Sequence, residues 1–548
     1  MKQYSASTAM AFAMAISGLV ACSGGGGSSA SPAGAPASPP PQVTSGNVSI
    51  SGKITFDHVP HNASAVGLNY DGITAEPARG VIVEAASSSG TALATTTTNS
   101  SGDYSLSVPV NTDVRVRARA QMQQTSGAQW DVRVVDNTSD DALYILSGAL
   151  SSSGTANSVR NLNAPSGWGG SSYTETRAAA PFAILDSIYI AVTGVANVDP
   201  DVVFPELQVY WSPQNNSADG NVDDGDLGSS FYTRFDGIST IALLGSENND
   251  TEEYDEHVIV HEFGHFLEDR LSRSDSIGGP HSITDRLDPR VAFGEGFGSA
   301  VAGILLQNPI YRDTLGTSQN SGFAFSTERN SVTPAGWFNE RSIISILYDI
   351  ADPIDDGVDV ISTGFGPMYD VLISSDYRNS PEATTIFLFI DELRRQTTVP
   401  DSDITALVAA QSISGTGPQG AGETNDGGIP TTLPVLKTVT VGGPPLEICS
   451  LDDEGDTNKH GNRNLVRFSL PAPATVTMSM TRTSGAPSTD PDFRVFRNGG
   501  FIATAGSGVD NSETLTRTLS AGEYLVDAYE FNVVEGTGTD ACFNFAVN

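Results

Sequence analysis

The sequence predicts a multidomain fold in which an N-terminal β-sandwich and a C-terminal β-sandwich flank a central α+β domain. Short runs that alternate apolar and polar residues occupy both ends of the chain, which is typical of half-buried strands. The middle of the chain has short strand-like runs followed by segments with helical apolar spacing. A length of 548 residues and an apolar content of 39% allow several domains with ordinary cores.

The charge of the chain excludes one broad class of function. There are 28 Lys and Arg residues against 64 Asp and Glu residues, which gives a formal net charge of −36. A general nucleic-acid binder needs a basic face for the phosphate backbone, so that class is excluded. The composition suits a soluble extracytoplasmic protein with carboxylates available for Ca²⁺, although a solvated acidic surface alone is the commoner explanation. The protein is expected to be a monomer.

The first 42 residues are predicted to be a processing segment and a tether. Lys2 precedes an apolar stretch over residues 10–20, and the letters LVAC end at Cys22. This ending resembles the lipobox of bacterial lipoproteins. The resemblance implies a signal peptide over residues 1–21 and a lipid on Cys22 that anchors the chain to a bacterial membrane, at the outer membrane or cell surface. An ordinary secretory signal is the alternative. Residues 22–42 are almost entirely Gly, Ser, Ala and Pro, as in a flexible tether, and no later segment is predicted to span a bilayer.

Residues 43–135 are predicted to form the N-terminal β-sandwich, and residues 136–165 a connection to the next domain. The predicted strands cover residues 48–56, 80–85, 103–108, 114–118 and 130–135. The order of PARGVIVEA, a Thr-rich run and SGDYSLSVP resembles carboxypeptidase regulatory-like domains, which implies a non-catalytic spacer or binding role. His58 and His61 are expected to be surface histidines, with a weak metal site as the alternative.

The central domain is predicted to span residues 166–415. The predicted strands cover residues 207–211, 229–233 and 239–244, and the predicted helices residues 177–192, 293–306, 337–350 and 380–395. Between the strands, residues 219–226 alternate carboxylates with glycines, which suits Ca²⁺. An exposed acidic loop explains that segment equally well.

One motif in the central domain points to metal chemistry. The letters HEFGH run from His261 to His265 and place two histidines four residues apart. On a helix they share one face, so both can bind a single Zn²⁺. Glu262 is turned aside from that face and can take a proton from water instead of binding the metal. A chance match on an acidic helix is the alternative.

The helix that carries this motif is predicted to begin near Asp250 and Glu253, where acids crowd the first turn. Gly264 costs such a helix about 1 kcal/mol relative to Ala. The glycine therefore predicts that another element packs closely against it. His257 is expected to support the site from behind or to lie on the surface.

A catalytic zinc site needs a third protein ligand and one open position. Glu295 is the candidate, because it lies on the next predicted helix within AFGEGFGS, whose glycines would allow close approach. With His261, Glu262, His265 and Glu295 in place, the central region resembles thermolysin-like gluzincin metallopeptidases. The resemblance implies a zincin-like catalytic fold in which the two histidines and Glu295 bind zinc and Glu262 is the general base.

The chain departs from that family in two respects. The interval between the motif and Glu295 is longer than in thermolysin, so the loop between them must fold away. Gluzincins often have an Asp four residues after the Glu ligand, where this chain has Ser299, and the partner that orients the histidines is left open. Alternative ligands are Asp285, Asp288 and His281. Candidates for stabilising the oxyanion are Tyr348, Arg341 and His281, with a core position as the alternative for Tyr348.

Residues 416–434 are predicted to be a linker, and residues 435–548 the C-terminal β-sandwich. The predicted strands cover residues 465–470, 475–480, 493–496 and 523–529. The letters LSAGEYLV resemble the pre-peptidase C-terminal-like modules of secreted proteases. Cys449 and Cys542 lie near the two ends of this region and are expected to form a disulfide in an oxidising compartment. Two unpaired thiols are the alternative.

The sequence thus predicts a zinc-dependent endopeptidase that acts on a protein or peptide substrate outside the cytoplasm. The alternative from another class is a surface binding or adhesion lipoprotein in which the sandwiches act and the zinc domain is vestigial. An intact Glu262 favours the enzyme, because a structural zinc site has no use for a general base.

Overall fold

Two sheets formed by the N-terminal strands share one core. The computed structural model describes residues 46–63, 66–354 and 359–548, so the predicted signal peptide, Cys22 and the tether lie outside the described residues. The strands up to residue 164 are β1 (Asn47–His58), β2 (Thr74–Pro77), β3 (Val81–Ser87), β4 (Ala92–Thr97), β5 (Asp103–Pro109), β6 (Asp113–Gln124), β7 (Trp130–Asp136), β8 (Ala142–Leu143), β9 (Ile145–Ser147), β10 (Ser151–Ser152), β11 (Ser158–Val159) and β12 (Leu162–Ala164). Strand β1 pairs with β2, β5, β11 and β12, whereas β3, β4, β6 and β7 belong to the second sheet. Ile50 and Leu106 of the first sheet enter the same hydrophobic cluster as Val83 and Val116 of the second.

The second sheet crosses the boundary predicted at residue 135. The strands of the central region are β13 (Leu207–Trp211), β14 (Phe231–Phe235), β15 (Ile238–Leu243), β16 (Gly245–Ser246), β17 (Asp250–Thr251), β18 (Ile310–Leu315) and β19 (Ser321–Ser326). Strand β7 runs parallel to β13, with Val132 opposite Leu207, and the sheet continues through β15 to β14. The strands predicted for the N-terminal sandwich therefore continue into a sheet of the central region. The backbone N–H and C=O groups on the free edge of β7 pair with a strand from the central region, so the two regions share a sheet.

The predicted connection over residues 136–165 also contains strands. Strands β8, β9 and β10 add to the second sheet, and β11 and β12 pair parallel with β1. These strands are only two or three residues long, so the sequence cannot show an alternation of apolar and polar residues along them. The segment thus closes both sheets in addition to joining them.

The described residues contain nine α-helices, most of them in the central region. They are α1 (Ala180–Ala196), α2 (Glu256–Leu271), α3 (Pro289–Leu306), α4 (Glu340–Ala351), α5 (Phe365–Ile373), α6 (Ser375–Arg378), α7 (Ile386–Gln396), α8 (Asp401–Ala410) and α9 (Phe531–Val534). Side chains of α1, α2, α3, α4 and α7 enter the cluster that already contains the N-terminal sheets. The core is therefore continuous from the first strand into the central helices.

Several helices begin later than the sequence predicts. Helix α4 begins at Glu340 because the side chain of Asn339 accepts a hydrogen bond from the backbone N–H of Ser342 and caps the helix. Helix α7 begins at Ile386, not near residue 380. Helix α2 begins at Glu256, because Asp250–Thr251 forms strand β17 between β16 and β18 and residues 252–254 form a 3₁₀ turn.

Helix α1 contains an apolar segment that the sequence analysis did not single out. Among the described residues, the segment Ala180–Val198 is long and apolar enough to cross a membrane, and 56% of its most apolar window is buried. Ile184, Ile188 and Val192 of this helix belong to the main hydrophobic cluster. The apolar character of α1 thus serves the core of the structure.

The C-terminal region has a β-sandwich-like arrangement. Its strands are β20 (Leu436–Thr438), β21 (Leu446–Ser450), β22 (Arg463–Leu470), β23 (Ala474–Gly485), β24 (Pro491–Arg497), β25 (Gly500–Ala505), β26 (Ser512–Leu519), β27 (Gly522–Glu530) and β28 (Ala541–Val547). They form one sheet in the order β20-β22-β27-β24-β25 and another in the order β21-β28-β23-β26. Both sheets contribute to a cluster that contains Phe468, Val526, Met478 and Phe545.

The predicted disulfide between Cys449 and Cys542 is confirmed. The two cysteines lie directly opposite each other on the neighbouring strands β21 and β28. The bond therefore reinforces one sheet of the C-terminal region.

The predicted linker over residues 416–434 is packed against its neighbours. The backbone N–H groups of Ser414 and Gly415 donate to the buried carboxylate of Glu423. The indole N–H of Trp337, just before α4, donates to the backbone carbonyl of Asn425. The segment therefore holds a fixed course between the central helices and the C-terminal strands.

Candidate metal centre

Helices α2 and α3 approach each other through glycine, as the sequence predicts for Gly264. A Cβ atom on Gly264 would lie 2.8 Å from the Cα of Gly298, and one on Gly298 would lie 3.0 Å from the His261 ring. Real Cβ atoms do not come this close to backbone. Small residues at both positions therefore allow the two helices to bring their polar side chains together.

Three side chains from these helices converge. His261 Nε2 and His265 Nε2 are 3.1 Å apart, and each lies 3.3 Å from Glu295 Oε2. Two ligands that bind one tetrahedral zinc at 2.0–2.1 Å are about 3.3 Å apart. The spacing of the two imidazole nitrogens and the carboxylate oxygen therefore fits zinc, and all three groups are of types that zinc prefers.

Each histidine has a partner on its other ring nitrogen. His261 Nδ1 is hydrogen-bonded to Ser299 Oγ at 3.0 Å. His265 Nδ1 lies 3.7 Å from Glu268 Oε2, one turn further along α2. Partners at Nδ1 favour a proton there and leave Nε2 free to bind a metal. Ser299 thus supports the His261 ring, and Glu268 is a partner of His265 that the sequence analysis missed.

The negative charge of Glu295 and the positive charge of the neighbouring histidines stabilise each other. Burial would raise the pKa of Glu295, but His265, His261 and His281 outweigh it and hold that pKa well below its usual range. Burial would lower the pKa of His265, but the Glu295 and Glu268 carboxylates raise it well above the ordinary value. The centre therefore has a strong preference for positive charge beside the Glu295 carboxylate.

Glu262 is buried on α2 beside the three converging side chains. Its negative charge acts on both His265 and Tyr311 of strand β18. The Tyr311 ring lies 6.4 Å from the His261 ring. The sequence analysis missed Tyr311, because nothing local marks a strand tyrosine as a neighbour of this helix.

His281 approaches the centre from the loop between α2 and α3. Its Nε2 lies 3.2 Å from Glu295 Oε2 and 3.6 Å from Glu340 Oε2. His261, His265 and Glu295 form a group whose ligand atoms all lie within 4.8 Å of one another, and His281 is not a member of it. His281 is therefore a neighbour of the Glu295 carboxylate and lies at the side of that group.

The remaining candidate ligands have other partners. Asp288 accepts a hydrogen bond from the backbone N–H of Arg290 at the start of α3 and forms an ion pair with the Arg290 side chain. Asp285 accepts from Ser282 and lies 3.3 Å from Lys459 Nζ in the C-terminal region. Both carboxylates thus hold structure around the loop that carries His281.

The other candidates for stabilising an oxyanion also interact elsewhere. Arg341 donates to the backbone carbonyl of Arg329 and lies over the Phe325 ring at 4.1 Å. Tyr348 is buried and lies against Gly303 of α3. Of the three candidates, His281 is the one that contacts the converging group.

The histidines before the motif helix are partly buried, which corrects the expectation that His58 and His61 lie on the surface. His58 Nε2 lies 3.3 Å from Glu256, and His61 Nε2 lies 3.4 Å from Asp255. His257 is fully buried and hydrogen-bonded through Nε2 to the backbone carbonyl of Asn308. His58, at the end of β1, and His61 thus lie beside the residues that begin α2.

The acidic segment 219–226 forms local turns. The Asn221 side chain accepts from the backbone N–H of Asp223, and the Asn216 side chain donates to Asp226. Among the described residues, the convergent groups of three or more acidic or histidine side chains are found elsewhere. The carboxylates of this segment thus do not form such a group, which favours the alternative of an acidic loop.

One family model matches part of the chain. Residues 204–398 match the Mycolysin C-terminal domain, and the matched region contains the HEFGH motif, Glu295 and α4. This match indicates a protease-related protein and is compatible with a metal cofactor. No curated protein matches the chain.

Three solved structures are similar to parts of the chain. The pre-peptidase C-terminal domain of collagenase from Bacillus anthracis is 11% identical over 21% of this chain and 94% of its own, with a TM-score of 0.16. PliG of Aeromonas hydrophila, a periplasmic inhibitor of g-type lysozyme, is 18% identical over 21% and 96%, with a TM-score of 0.14. A β-glucosidase from Paenibacillus barengoltzii is 13% identical over 20% and 11%, with a TM-score of 0.11. TM-scores this low do not establish a shared fold.

Proposed function

We propose that the protein is a zinc-dependent endopeptidase. The observation that carries the proposal is the convergence of His261, His265 and Glu295 at separations of 3.1 Å and 3.3 Å, beside the buried carboxylate of Glu262. The match of residues 204–398 to the Mycolysin C-terminal domain supports the same reading.

The chain's own residues have distinct roles in this reaction. Zinc, when bound, supplies a Lewis acid that polarises the peptide carbonyl and makes water easier to deprotonate. The Glu262 carboxylate accepts the proton of the attacking water and returns it to the leaving amine nitrogen. His261, His265 and Glu295 hold the metal.

The residues behind the ligands position them. Ser299 and Glu268 orient the two imidazole rings through their Nδ1 atoms. His281 Nε2 lies within reach of Glu295 Oε2 and holds that carboxylate in place from the loop side. Neither function requires these residues to touch the substrate.

The test separates metal binding from proteolysis. Glu262→Gln should retain one zinc per chain while cleavage of an unfolded protein falls by roughly 10²–10⁴-fold, because the general base is lost. His261→Ala should lose both zinc and cleavage. Asp269→Asn makes a similar acid-to-amide change near the other end of α2 and should leave both unchanged. Full cleavage by Glu262→Gln, or stoichiometric zinc in His261→Ala, would overturn the assignment.

If the zinc-loaded chain cleaves no protein, the alternative function of a surface binding or adhesion lipoprotein is favoured.

We also propose that a lipid on Cys22 anchors the chain, because the letters LVAC resemble a lipobox. Replacement of Cys22 by Ser should then release the protein from the membrane fraction. Retention of that variant in the membrane would contradict the anchor.

A further inference from the structure

A second convergent group lies at the start of the motif helix. It comprises Asp250 of β17, Glu252 of the following turn, Asp255 immediately before α2, and Asp313 of β18. Each offers one carboxylate oxygen, and the four oxygens all lie within 4.8 Å of one another. Glu252 is 3% exposed and Asp255 is 0% exposed, so two of the four are almost completely buried.

Each carboxylate in this group has one buried oxygen without a hydrogen-bond donor. Those atoms are Asp250 Oδ1, Glu252 Oε2, Asp255 Oδ1 and Asp313 Oδ1. Two of the carboxylates use their second oxygen: Glu252 Oε1 accepts from Ser230 Oγ, and Asp255 Oδ2 accepts from the backbone N–H and hydroxyl of Thr314. Buried oxygens are rarely left without partners in a folded protein. The pattern indicates that the four bare oxygens face a ligand.

Lysine and arginine side chains of the described residues do not balance the negative charge of these four carboxylates. Among the described residues, no lysine or arginine forms an ion pair with any of the four carboxylates. His61 Nε2 lies 3.4 Å from Asp255 Oδ1, so a protonated His61 would place at most one positive charge beside the four carboxylates.

Crowding these carboxylates together has a cost. Glu252 and Asp255 are almost completely removed from water, and each offers an oxygen within 4.8 Å of those of Asp250 and Asp313. Four such groups in one place are costly unless a bound cation compensates them.

We propose that Asp250, Glu252, Asp255 and Asp313 bind one Ca²⁺ ion. Ca²⁺ takes oxygen ligands at about 2.3–2.6 Å, so ligands on opposite sides of the ion are about 4.6–5.2 Å apart. The four oxygens lie within 4.8 Å of one another, so all of them are close enough to bind one such ion. An all-oxygen set with two nearly inaccessible carboxylates suits Ca²⁺ better than zinc, which prefers nitrogen and sulfur, or Mg²⁺, which keeps several waters.

The ion would tie three segments together at one end of α2. Asp255 directly precedes the helix, Asp250 and Glu252 lie on the chain that leads into it, and Asp313 belongs to the strand that contains Tyr311. Ca²⁺ would therefore fix the start of the helix that carries His261 and His265. This site does not depend on the proposed proteolysis, because its ligands are distinct from those of the zinc group.

The experiment uses the full chain at a saturating concentration of zinc. Proteolysis is not one of its measurements. Calorimetric titration with CaCl₂ should give one strong site per chain, and Ca²⁺ should raise the thermal unfolding midpoint by several degrees. Mg²⁺ at the same concentration should do neither. Glu252→Gln and Asp250→Asn should each weaken Ca²⁺ binding by at least about tenfold, since affinity follows the number of charged ligands.

Asp453→Asn is the matched control, because Asp453 belongs to the exposed group Asp452, Asp453 and Asp540 in the C-terminal region. It should leave both Ca²⁺ affinity and the thermal shift unchanged. If Glu252→Gln fails to fold, the proposal is tested by the Ca²⁺ affinity of Asp250→Asn and by the number of Ca²⁺ ions bound per unaltered chain. The proposal is overturned by absence of Ca²⁺ binding, by equal binding of Mg²⁺, or by loss of binding in Asp453→Asn alone.

Discussion

Gly264 of α2 and Gly298 of α3 lie in direct backbone contact, with room for no more than a hydrogen atom between them. Gly298 also lies against the ring of His261, so this contact sets the distance between the two helices and the position of one predicted zinc ligand. Glu295 lies one turn before Gly298 on the same helix. The two glycines thus determine how closely a carboxylate from α3 can approach the histidines of α2.

Gly264→Ala should weaken zinc binding although it favours the helix. Alanine stabilises a helix interior by about 1 kcal/mol relative to glycine, but its Cβ would lie 2.8 Å from the Gly298 backbone and must push α3 away. A displacement of this kind can cost on the order of 100-fold in activity. Zinc affinity and peptidase activity, measured on the same preparation, should both fall.

Gly366→Ala in α5 is the matched control for that change. A Cβ at Gly366 would lie 3.8 Å from Val198, an ordinary contact. This variant should keep full zinc affinity and be as stable as the original chain or slightly more stable. Equal zinc affinities in the two variants would contradict the role given to Gly264.

Ser299→Ala should reduce zinc affinity by roughly 10–100-fold, the usual effect of removing a group that orients a metal-binding histidine. The hydroxyl of Ser299 is the hydrogen-bond partner of His261 Nδ1 at 3.0 Å. Competition with a zinc-binding dye would measure the change. Ser187→Ala is the control, because that buried serine of α1 bonds only to the backbone carbonyl of Ala183 in its own helix; the same loss there would point to a general effect on folding.

The local elements of this site could be predicted from the sequence, whereas its long-range neighbours could not. The spacing of His261 and His265 predicts a shared helix face, and the glycines around Glu295 predict the close approach of α3. Glu268 and Tyr311 were missed because their relevance depends on how the helix and β18 pack. The shared sheet was missed because parallel pairing of β7 with β13 joins segments far apart in the chain, and neither carries a local sign of its partner.

Asp527→Ala should destabilise the fold by about 3–5 kcal/mol, the usual cost of breaking a buried ion pair from one side. Asp527 of β27 is buried and accepts from Arg290 Nη1 at 3.2 Å and Arg463 Nη1 at 3.1 Å. Its loss would leave two buried guanidinium groups with less compensation where α3 meets the C-terminal strands. Urea unfolding would measure the change, and Glu523→Ala on the same strand, at a half-buried position, should cost much less.

Stability should increase with pH between about 4 and 6.5 because of His460. Burial lowers the pKa of His460 to about 4 from 6.5, the effects of Asp426, Asp288 and Arg286 being smaller. The folded state keeps this ring neutral, with Nε2 hydrogen-bonded to the backbone carbonyl of Asp426 at 3.0 Å, while the unfolded state takes up a proton below 6.5. Acidification through that window therefore favours unfolding, by up to about 3 kcal/mol.

The measurement compares the unfolding free energy of the original chain and of His460→Gln across that pH range. The variant should be less stable at neutral pH but should show a smaller slope below 6.5, because its side chain does not titrate. Above neutral pH the two slopes should coincide. Identical slopes throughout the acidic range would show that His460 titrates normally.

The ten-stranded sheet restricts how this protein could be processed after synthesis. If a protease removed the N-terminal strands at the boundary predicted near residue 135, β13 would lose its partner β7 and present a row of unpaired backbone groups. Exposed strand edges of this kind recruit other chains and promote aggregation. The N-terminal strands are thus unsuited to serve as a disposable inhibitory segment, and a shortened chain for expression should begin before β1 and not after β7.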